Sequence, residues 1–268
     1  MDAYDNYGAC QSIEFFLDGL SNWYVRRSRD RFWAKDRESV DKSDAYWTLY
    51  ECLVTMAKVV APFVPFVSET IWRNLSGVFG DQTPESVHLC DYPTANEQWQ
   101  DDVLSERMAL LREVASLGRS ARMEAKLKVR QPLALVEVIL ANPEHQGWLA
   151  DHGKILAKEL NVKEVAYTQD AEEYINYLVQ PNFKRVGPRV GKLMPKVKKW
   201  LNTADGAELL AEMKANGHVS TEIDGQQIEL NGDDLDVRLQ AKEGWAAAQG
   251  ASSVVVLSTD LTDEMIRV

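Results

Sequence analysis

The sequence predicts an all-helical bundle over about residues 1–125, followed by a smaller α+β domain over residues 126–268. Before Pro132, apolar residues recur at steps of three and four, which is the pattern of a helix with one buried side. After Pro132, runs rich in β-branched residues alternate with helical segments. A chain of 268 residues is also long enough for two hydrophobic cores.

Four helices are expected in the first domain. Pro65 can open a helix, so a short third helix should run from about Phe66. Short connections between helices that each hide one apolar stripe favour an antiparallel bundle. The predicted helices run from about Ile13 to Tyr24, from Ser43 or Asp44 to Ala61, from Phe66 to Leu75 and from Asn96 to Met123.

Strands and helices should mix in the second domain. The dipeptides Asp224-Gly225 and Asn231-Gly232 are typical of β-hairpin turns, and they predict three strands within residues 218–240. Further strands are predicted over 133–140, 162–168 and 252–259, and helices over 145–160, 192–201 and 206–215.

Composition excludes several classes of protein. No apolar run approaches the roughly 18 residues of a membrane span, and the first residues lack the pattern of a signal peptide, so we expect a soluble cytoplasmic protein without a membrane partner. The three cysteines form no CxxC pair, so neither a disulfide framework nor a zinc site is predicted. No histidine pair, serine elbow or phosphate-binding loop is present, and we predict no catalytic and no metal-binding residue.

Charge is unevenly distributed along the chain. The net charge of −11 argues against nucleic-acid binding over the whole surface. Seven Lys or Arg and no acid fall within Lys184–Lys199, the C-terminal basic tract. Nine acids and one Lys fall within Thr203–Asp236, the acidic segment. Because the negative charge lies mostly outside the cationic stretches, we expect those stretches to remain able to bind anions.

Four arginines and four aromatic residues lie within Asn22–Trp33, here called the arginine–aromatic segment. On an unbroken helix, Arg27 and Arg31 would lie on the same face as Leu20 and Tyr24. Unpaired RNA bases stack on aromatic rings and guanidinium groups, and arginines bind phosphates in a bidentate manner. The residues predicted to bind RNA here are Trp23, Arg26, Arg27, Arg29, Arg31 and Trp33.

The alternative interpretation of this segment is structural. Trp23, Tyr24, Phe32 and Trp33 would then be core residues, and the arginines would form ion pairs with nearby acids. Residue types alone leave both interpretations open.

Two further basic tracts are candidates for phosphate contacts, although a solvated helix face or a solubilising hinge would show the same composition. Arg119–Arg130, the middle basic tract, holds five cations and one acid. The residues predicted to bind RNA in the two tracts are Arg122, Lys126, Lys128, Arg130, Lys184, Arg185, Arg189 and Lys192.

Several motifs together resemble the C-terminal portion of the isoleucyl-tRNA synthetases, a family of class I aminoacyl-tRNA synthetases. They are "LSNWYVRRSRDRFW", "APFVPFVSETIWRNL", "SVHLCDYP", "KVRQPL" and "ELNVKEV", and the resemblance extends over essentially the whole chain. The proline–phenylalanine block and the "SVHL" segment are shared with the valyl and leucyl families, whereas Asn22–Trp33 and "ELNVKEV" favour the isoleucyl family.

The resemblance implies an anticodon-binding helical domain over residues 1–125 and an appended tRNA-binding α+β domain over residues 126–268. It also implies tRNA(Ile) as a partner, together with the remainder of the synthetase chain. The family's catalytic domain, where ATP and Mg would bind and isoleucine is ligated, is not in this sequence, so this fragment is expected to be inactive by itself, without a cofactor and monomeric.

Two alternative functions remain open. The chain resembles valyl- and leucyl-tRNA synthetases in part, so the amino acid could be valine or leucine. A protein-interaction module that docks a partner through the acidic segment is the alternative from another class.

Overall fold

The computed structural model of the protein describes residues 4–260, apart from the side chain of Lys214. The chain divides into two compact units, Met1–Gln100 and Asp101–Val268. Within the described residues, no helix is both long enough and apolar enough to cross a lipid bilayer.

The first unit is helical. Helix α4 begins at Pro65, as the sequence predicts, and α3 begins three residues before the predicted cap at Ser43. The unit consists of α1 (Asn6–Asp18), a π-helical segment (Gly19–Val25), α2 (Arg29–Phe32), α3 (Val40–Val60), α4 (Pro65–Ser76) and short 3-10 segments at Gly77–Gln82, Val87–Leu89 and Glu97–Trp99.

The first helix is not the unbroken α-helix that the sequence suggested. After Asp18 the backbone widens into the π-helical segment, and α2 begins only after a turn at Ser28. A π-helical turn shifts the direction of every following side chain relative to an ideal α-helix. The arginines beyond it therefore do not follow the face predicted from 100° per residue.

A small core holds α3 and α4 together. Ala57 and Ala61 of α3 pack against Trp72 of α4, and Val87 closes the cluster. The Trp72 indole N–H donates to the Pro84 carbonyl at 3.0 Å. The segment after α4 is thereby fixed against the helix pair.

The second unit contains both helices and strands. The long helix that the sequence placed fourth in the bundle belongs to this unit. The helices are α5 (Asp102–Glu124), α6 (Gln146–Asp151), α7 (Gly153–Leu160), α8 (Phe183–Val190), α9 (Met194–Thr203) and α10 (Gly206–Asn216). The strands are β1 (Leu133–Leu140), β2 (Val162–Thr168), β3 (Ile175–Pro181), β4 (His218–Ile223), β5 (Gln226–Asn231), β6 (Leu235–Ala241), β7 (Trp245–Gln249) and β8 (Ser253–Ser258).

A four-stranded sheet with the order β2-β1-β8-β7 forms the centre of this unit. Strands β1 and β2 are parallel and are connected through α6 and α7, whereas β8 is antiparallel to both β1 and β7. Helix α5 packs on β7 and β8, and its residues Leu111, Val114 and Ala115 are fully buried. The apolar stripe of α5 thus covers this sheet.

A second core lies among α8, α9, α10 and the two remaining sheets. Strand β3 pairs with β6, and β4 pairs with β5. The turn at Asp224-Gly225 is confirmed, with both residues at positive φ. The hairpin predicted at Asn231-Gly232 is wrong, because β6 leaves β5 there and pairs with β3. The core includes Val179, Val186, Val197, Leu201 and Leu230.

The predicted fold class, an all-helical bundle with a smaller α+β appendage, is wrong. The described fold is mixed, with 57% helix and 20% strand, and its strands form three sheets. The physical reason is the position of α5, whose apolar face is covered by strands. The α+β unit begins at Asp101 and is the larger of the two.

Candidate nucleic-acid interface

The π-helical segment presents Trp23 to an arginine of the next turn. The Arg27 guanidinium carbon lies 5.2 Å from the centre of the Trp23 ring, which is a cation–π distance. Both side chains are half-buried. Arg26 is exposed, and its Nε donates to the Asn22 carbonyl at 2.8 Å. This turn therefore combines one ring and two guanidinium groups near the surface.

Helix α2 separates a buried ring from an exposed one. Phe32 is buried, with its ring centre 5.0 Å from that of Tyr46 and 6.4 Å from that of Tyr24. The next residue, Trp33, is 78% exposed. Arg29, one turn before Trp33, is exposed as well. Phe32 thus anchors the helix, while Trp33 and Arg29 face solvent.

Arg31 connects α2 to α3. Its Nε donates to the Asp41 carboxylate at 2.9 Å, and its Nη2 donates to the Asp41 carbonyl at 3.0 Å. The hydrogen bond to Asp41 raises the pKa of Arg31 above its ordinary value. Tyr24 reinforces the same junction by donating its hydroxyl to the Ala45 carbonyl at 3.0 Å. Phe32, Tyr24 and Arg31 therefore have structural contacts, as the structural interpretation expects. Trp33, by contrast, is not a core residue, and Arg29 is exposed.

Arg122 of the middle basic tract is a core residue. It is 1% exposed, and burial lowers the pKa of its guanidinium. Nη1 donates to the carbonyls of Lys128 and Gln131 at 3.0 and 2.9 Å, and Nη2 donates to those of Leu160 and Asn161 at 2.5 and 3.0 Å. A guanidinium held in this way cannot present these donors to RNA. Its prediction as an RNA contact is corrected accordingly.

The other cations of this tract lie on the surface. Lys126, Lys128 and Arg130 are exposed, and Lys126 has a left-handed backbone with φ of 57°. We call Lys126–Gln131 the basic loop. Its three cations are exposed, whereas its carbonyls at Lys128 and Gln131 accept from the buried Arg122.

Two arginines of the C-terminal basic tract pair with the acidic segment. Arg185 lies 3.0 Å from the Asp233 carboxylate. Arg189 donates to Asp234 at 2.5 Å and to the Glu229 carbonyl at 2.7 Å. Burial favours a higher pKa for Asp234, but the Asn231 amide and the two arginines lower it below its ordinary value.

The same pattern repeats at Lys196, which forms an ion pair with Asp224. The expectation that the negative charge lies away from the cations is therefore wrong for this part of the chain. Lys184 and Lys192, the other two predicted contacts, are exposed. Lys198, which the sequence did not single out, has its Nζ 5.8 Å from the centre of the exposed Phe183 ring.

A family model for the anticodon-binding domain of tRNA ligases matches residues 1–139, which is more than half of the chain. The chain belongs to this family. The matched region contains the arginine–aromatic segment, α5 and the basic loop.

Three isoleucine–tRNA ligases are similar to this chain over nearly its whole length. The isoleucine–tRNA ligase of Clostridium acetobutylicum is 41% identical over 97% of the chain, and that of Chlamydia trachomatis serovar L2 is 38% identical over 99%. The isoleucine–tRNA ligase of Protochlamydia amoebophila is 36% identical over 99%. The chain spans about a quarter of the length of each of these relatives.

The first unit also has a groove lined by aromatic side chains, which the sequence analysis did not predict. It encloses about 410 Å³ between α3 and the end of α4, and its lining includes Tyr46, Trp47, Tyr50 and Phe79. Trp47 is 56% exposed. The available sequence signal is that Trp47 directly follows Tyr46 and lies off the apolar stripe of α3.

Proposed function

We propose that the chain is the tRNA-binding region of an isoleucine–tRNA ligase, and that the arginine–aromatic segment binds the anticodon loop of tRNA(Ile). The observation that carries the proposal is the exposure of Trp33, Arg26 and Arg29 on a domain of the anticodon-binding family. The similarity to isoleucine–tRNA ligases over 97% of the chain supports the choice of isoleucine.

The binding chemistry follows from the exposed groups. An unstacked base of the anticodon loop stacks on the indole of Trp33, and base–aromatic stacking tolerates any base. Arg26 and Arg29 donate to phosphate oxygens, for which a planar guanidinium is well suited. Arg27 and Trp23 already stack on each other, so they offer the loop a combined ring and cation.

The second unit contributes sequence-independent contacts to the tRNA backbone. Lys126, Lys128, Arg130, Lys184 and Lys192 are exposed cations, and each can neutralise a phosphate. Arg185 and Arg189 can do so only in exchange for their acidic partners.

The ligation reaction belongs to the remainder of the enzyme. ATP, Mg and isoleucine would bind there, and the partner of this chain besides tRNA(Ile) is that remainder. The chain by itself binds tRNA as a cytoplasmic monomer and catalyses no step.

Titration of the chain with tRNA(Ile) and tRNA(Val) transcripts at several salt concentrations tests the proposal. If about three to five phosphates are neutralised, the logarithm of the affinity falls with the logarithm of salt at a slope of roughly −2 to −4. Exchanging the anticodons of the two transcripts should exchange their affinities. Binding that follows the valine anticodon would assign the chain to a valine enzyme instead, and the absence of any tRNA binding would refute the proposal.

The variant Trp33→Ala examines the stacking contact directly. Loss of one base–aromatic stack costs about 1–3 kcal/mol, so tRNA(Ile) affinity should fall roughly fivefold to a hundredfold. Trp99→Ala is the matched control, because Trp99 lies in the same unit and is 81% exposed. Equal affinity losses in the two variants would refute the role of Trp33. An unchanged melting temperature in both confirms that the fold is intact.

Docking of a partner protein through the acidic segment gains no support from the structure. Asp224, Asp233 and Asp234 are in ion pairs with cations of the same unit. We therefore advance no second function.

A further inference from the structure

Four consecutive carbonyls of the basic loop accept hydrogen bonds from two side chains. Arg122 donates to the carbonyls of Lys128 and Gln131. The Asn161 side-chain amide donates to those of Val129 and Arg130, at 3.3 and 2.9 Å. Arg122 thus binds the first and last of these carbonyls, and Asn161 binds the two between them.

These bonds fix which way the loop faces. Because four successive carbonyls are bound by these two donors, the backbone has little freedom to rotate, and the exposed Lys126, Lys128 and Arg130 are held in one arrangement. Loops of this length with exposed lysines are ordinarily mobile. Here a charged group that is 1% exposed holds the loop from within.

Asn161 is itself placed by the backbone. It ends α7 in the left-handed conformation, with φ of 49° and ψ of 54°, a region that asparagine tolerates better than most residues. Its carbonyl accepts from Arg122 and also from the Leu133 amide at 3.0 Å. The end of α7, the start of β1 and the basic loop are therefore joined through two residues, Arg122 and Asn161.

We propose that Arg122 and Asn161 are positioning residues for a phosphate-binding loop: they hold Lys126–Gln131 in one conformation, so that Lys126, Lys128 and Arg130 engage the phosphodiester backbone of RNA together. This inference rests on the proposed tRNA-binding function. Neither positioning residue touches the RNA. A preordered loop loses less conformational entropy when it binds, so its three cations gain affinity that a mobile loop would lose.

The test uses the full 268-residue chain, a tRNA(Ile) transcript and the substitution Asn161→Gly. Glycine keeps the left-handed backbone at the end of α7 but removes both hydrogen bonds to the loop. We expect weaker tRNA binding and a shallower dependence of affinity on salt, with the melting temperature little changed. Asn161→Asp is a second variant of nearly the same shape, in which the donor becomes an acceptor that repels the loop carbonyls.

A second set of variants separates positioning from a general loss of stability. Replacing Lys126, Lys128 and Arg130 together by alanine should reduce the salt slope by about one for each phosphate that the loop no longer neutralises. In that triple variant, Asn161→Gly should have no further effect on tRNA affinity, because the group through which it acts is gone. The charge-matched control replaces the exposed Lys154, Lys158 and Lys163 by alanine and should weaken binding less.

Each outcome decides a different point. If Asn161→Gly weakens binding equally with and without the three cations, or if it leaves binding unchanged in the parent chain, positioning through the loop is refuted. Equal losses in the loop triple variant and its control would show a net-charge effect and would also overturn the inference. If the parent chain binds no tRNA at all, it is the proposed function that fails.

Discussion

Two buried ionisable side chains of the second unit, Arg122 and Glu137, differ in how their charge is compensated. Arg122 is nearly sealed from solvent, but four backbone carbonyls accept hydrogen bonds from its guanidinium. Glu137 of β1 is 8% exposed and has no cation among the groups that shift its pKa. Burial raises the pKa of Glu137, the charges of Glu173 and Glu164 raise it further, and a hydrogen bond with Tyr174 lowers it in part. The ionised form of Glu137 therefore opposes folding.

The variant Glu137→Gln should stabilise the protein near neutral pH. Because the pKa is raised in the folded state, the favourable protonated form contributes fully below the ordinary glutamate pKa of about 4.3, and its contribution is lost as pH rises through the folded value. Glutamine has no charge to desolvate and can still accept from Tyr174. We expect the free energy of unfolding to increase by up to roughly 1 kcal/mol at pH 7–8. This gain should shrink toward pH 4.

Urea unfolding at several pH values measures this difference. Glu144→Gln removes the same charge from an exposed site and serves as the control. A gain that does not depend on pH would contradict the assigned cause.

Helix α10 begins in close contact with the backbone of strand β3. A Cβ atom on Gly206, the first residue of α10, would lie 1.9 Å from the Tyr177 carbonyl oxygen of β3. Backbone cannot move aside as a flexible side chain can, so the helix and strand would have to separate. Gly206 is therefore required by packing, although its backbone is not in the left-handed region.

Gly206→Ala should destabilise the second unit by about 1–3 kcal/mol, as expected when a substitution overpacks a core contact. Gly147→Ala is the control, because a Cβ at Gly147 in α6 meets nothing within 4 Å, and alanine is the better helix former. Chemical denaturation should show a loss for Gly206→Ala and none for Gly147→Ala. Comparable stabilities of the two variants would contradict the close approach.

Helices and strands whose residues all favour the same secondary structure could be predicted from the sequence. The β-branched run over Leu133–Leu140 and the proline-initiated α4 agree with the structure within a residue. Strand β7 was missed because three alanines between Trp245 and Gln249 carry little strand signal. Helix α8 was missed because it contains Gly187 and Pro188, which usually indicate a loop.

The candidate site could be predicted only in part, because the sequence does not show which side chains pack against which. Residue type and placement made Trp33 and the cations of the basic loop candidates, but they left open whether Trp33 is exposed or buried. The structure shows all of them exposed, and their RNA contacts remain predictions. Arg122 has the same sequence signature as its exposed neighbours, and only the packing of α5 and α7 buries it. The aromatic groove depends likewise on the long-range packing of Phe79 against Tyr50.

At the scale of the whole molecule, the distribution of charge is set by folding as much as by composition. The chain has a net charge of −11, yet the acidic segment does not simply form a separate negative face. Asp224, Asp233 and Asp234 neutralise Lys196, Arg185 and Arg189 within one unit. The C-terminal basic tract therefore presents less positive charge to RNA than its seven cations suggest.

Releasing one of these cations should strengthen RNA binding. In Asp233→Asn, Arg185 loses the carboxylate at 3.0 Å and keeps only that of Asp234 at 3.9 Å, so it becomes more available to a phosphate. The affinity for tRNA(Ile) should therefore rise roughly twofold to fivefold at low salt, with a steeper salt slope. Asp236→Asn makes the same change in net charge at an exposed residue three positions away and should raise affinity less. Asp234 is unsuitable for this purpose, because it is 2% exposed and its replacement would remove the carboxylate that pairs with Arg189. Equal gains in Asp233→Asn and Asp236→Asn would show that overall charge alone controls binding, and no gain in either would remove Arg185 from the proposed interface.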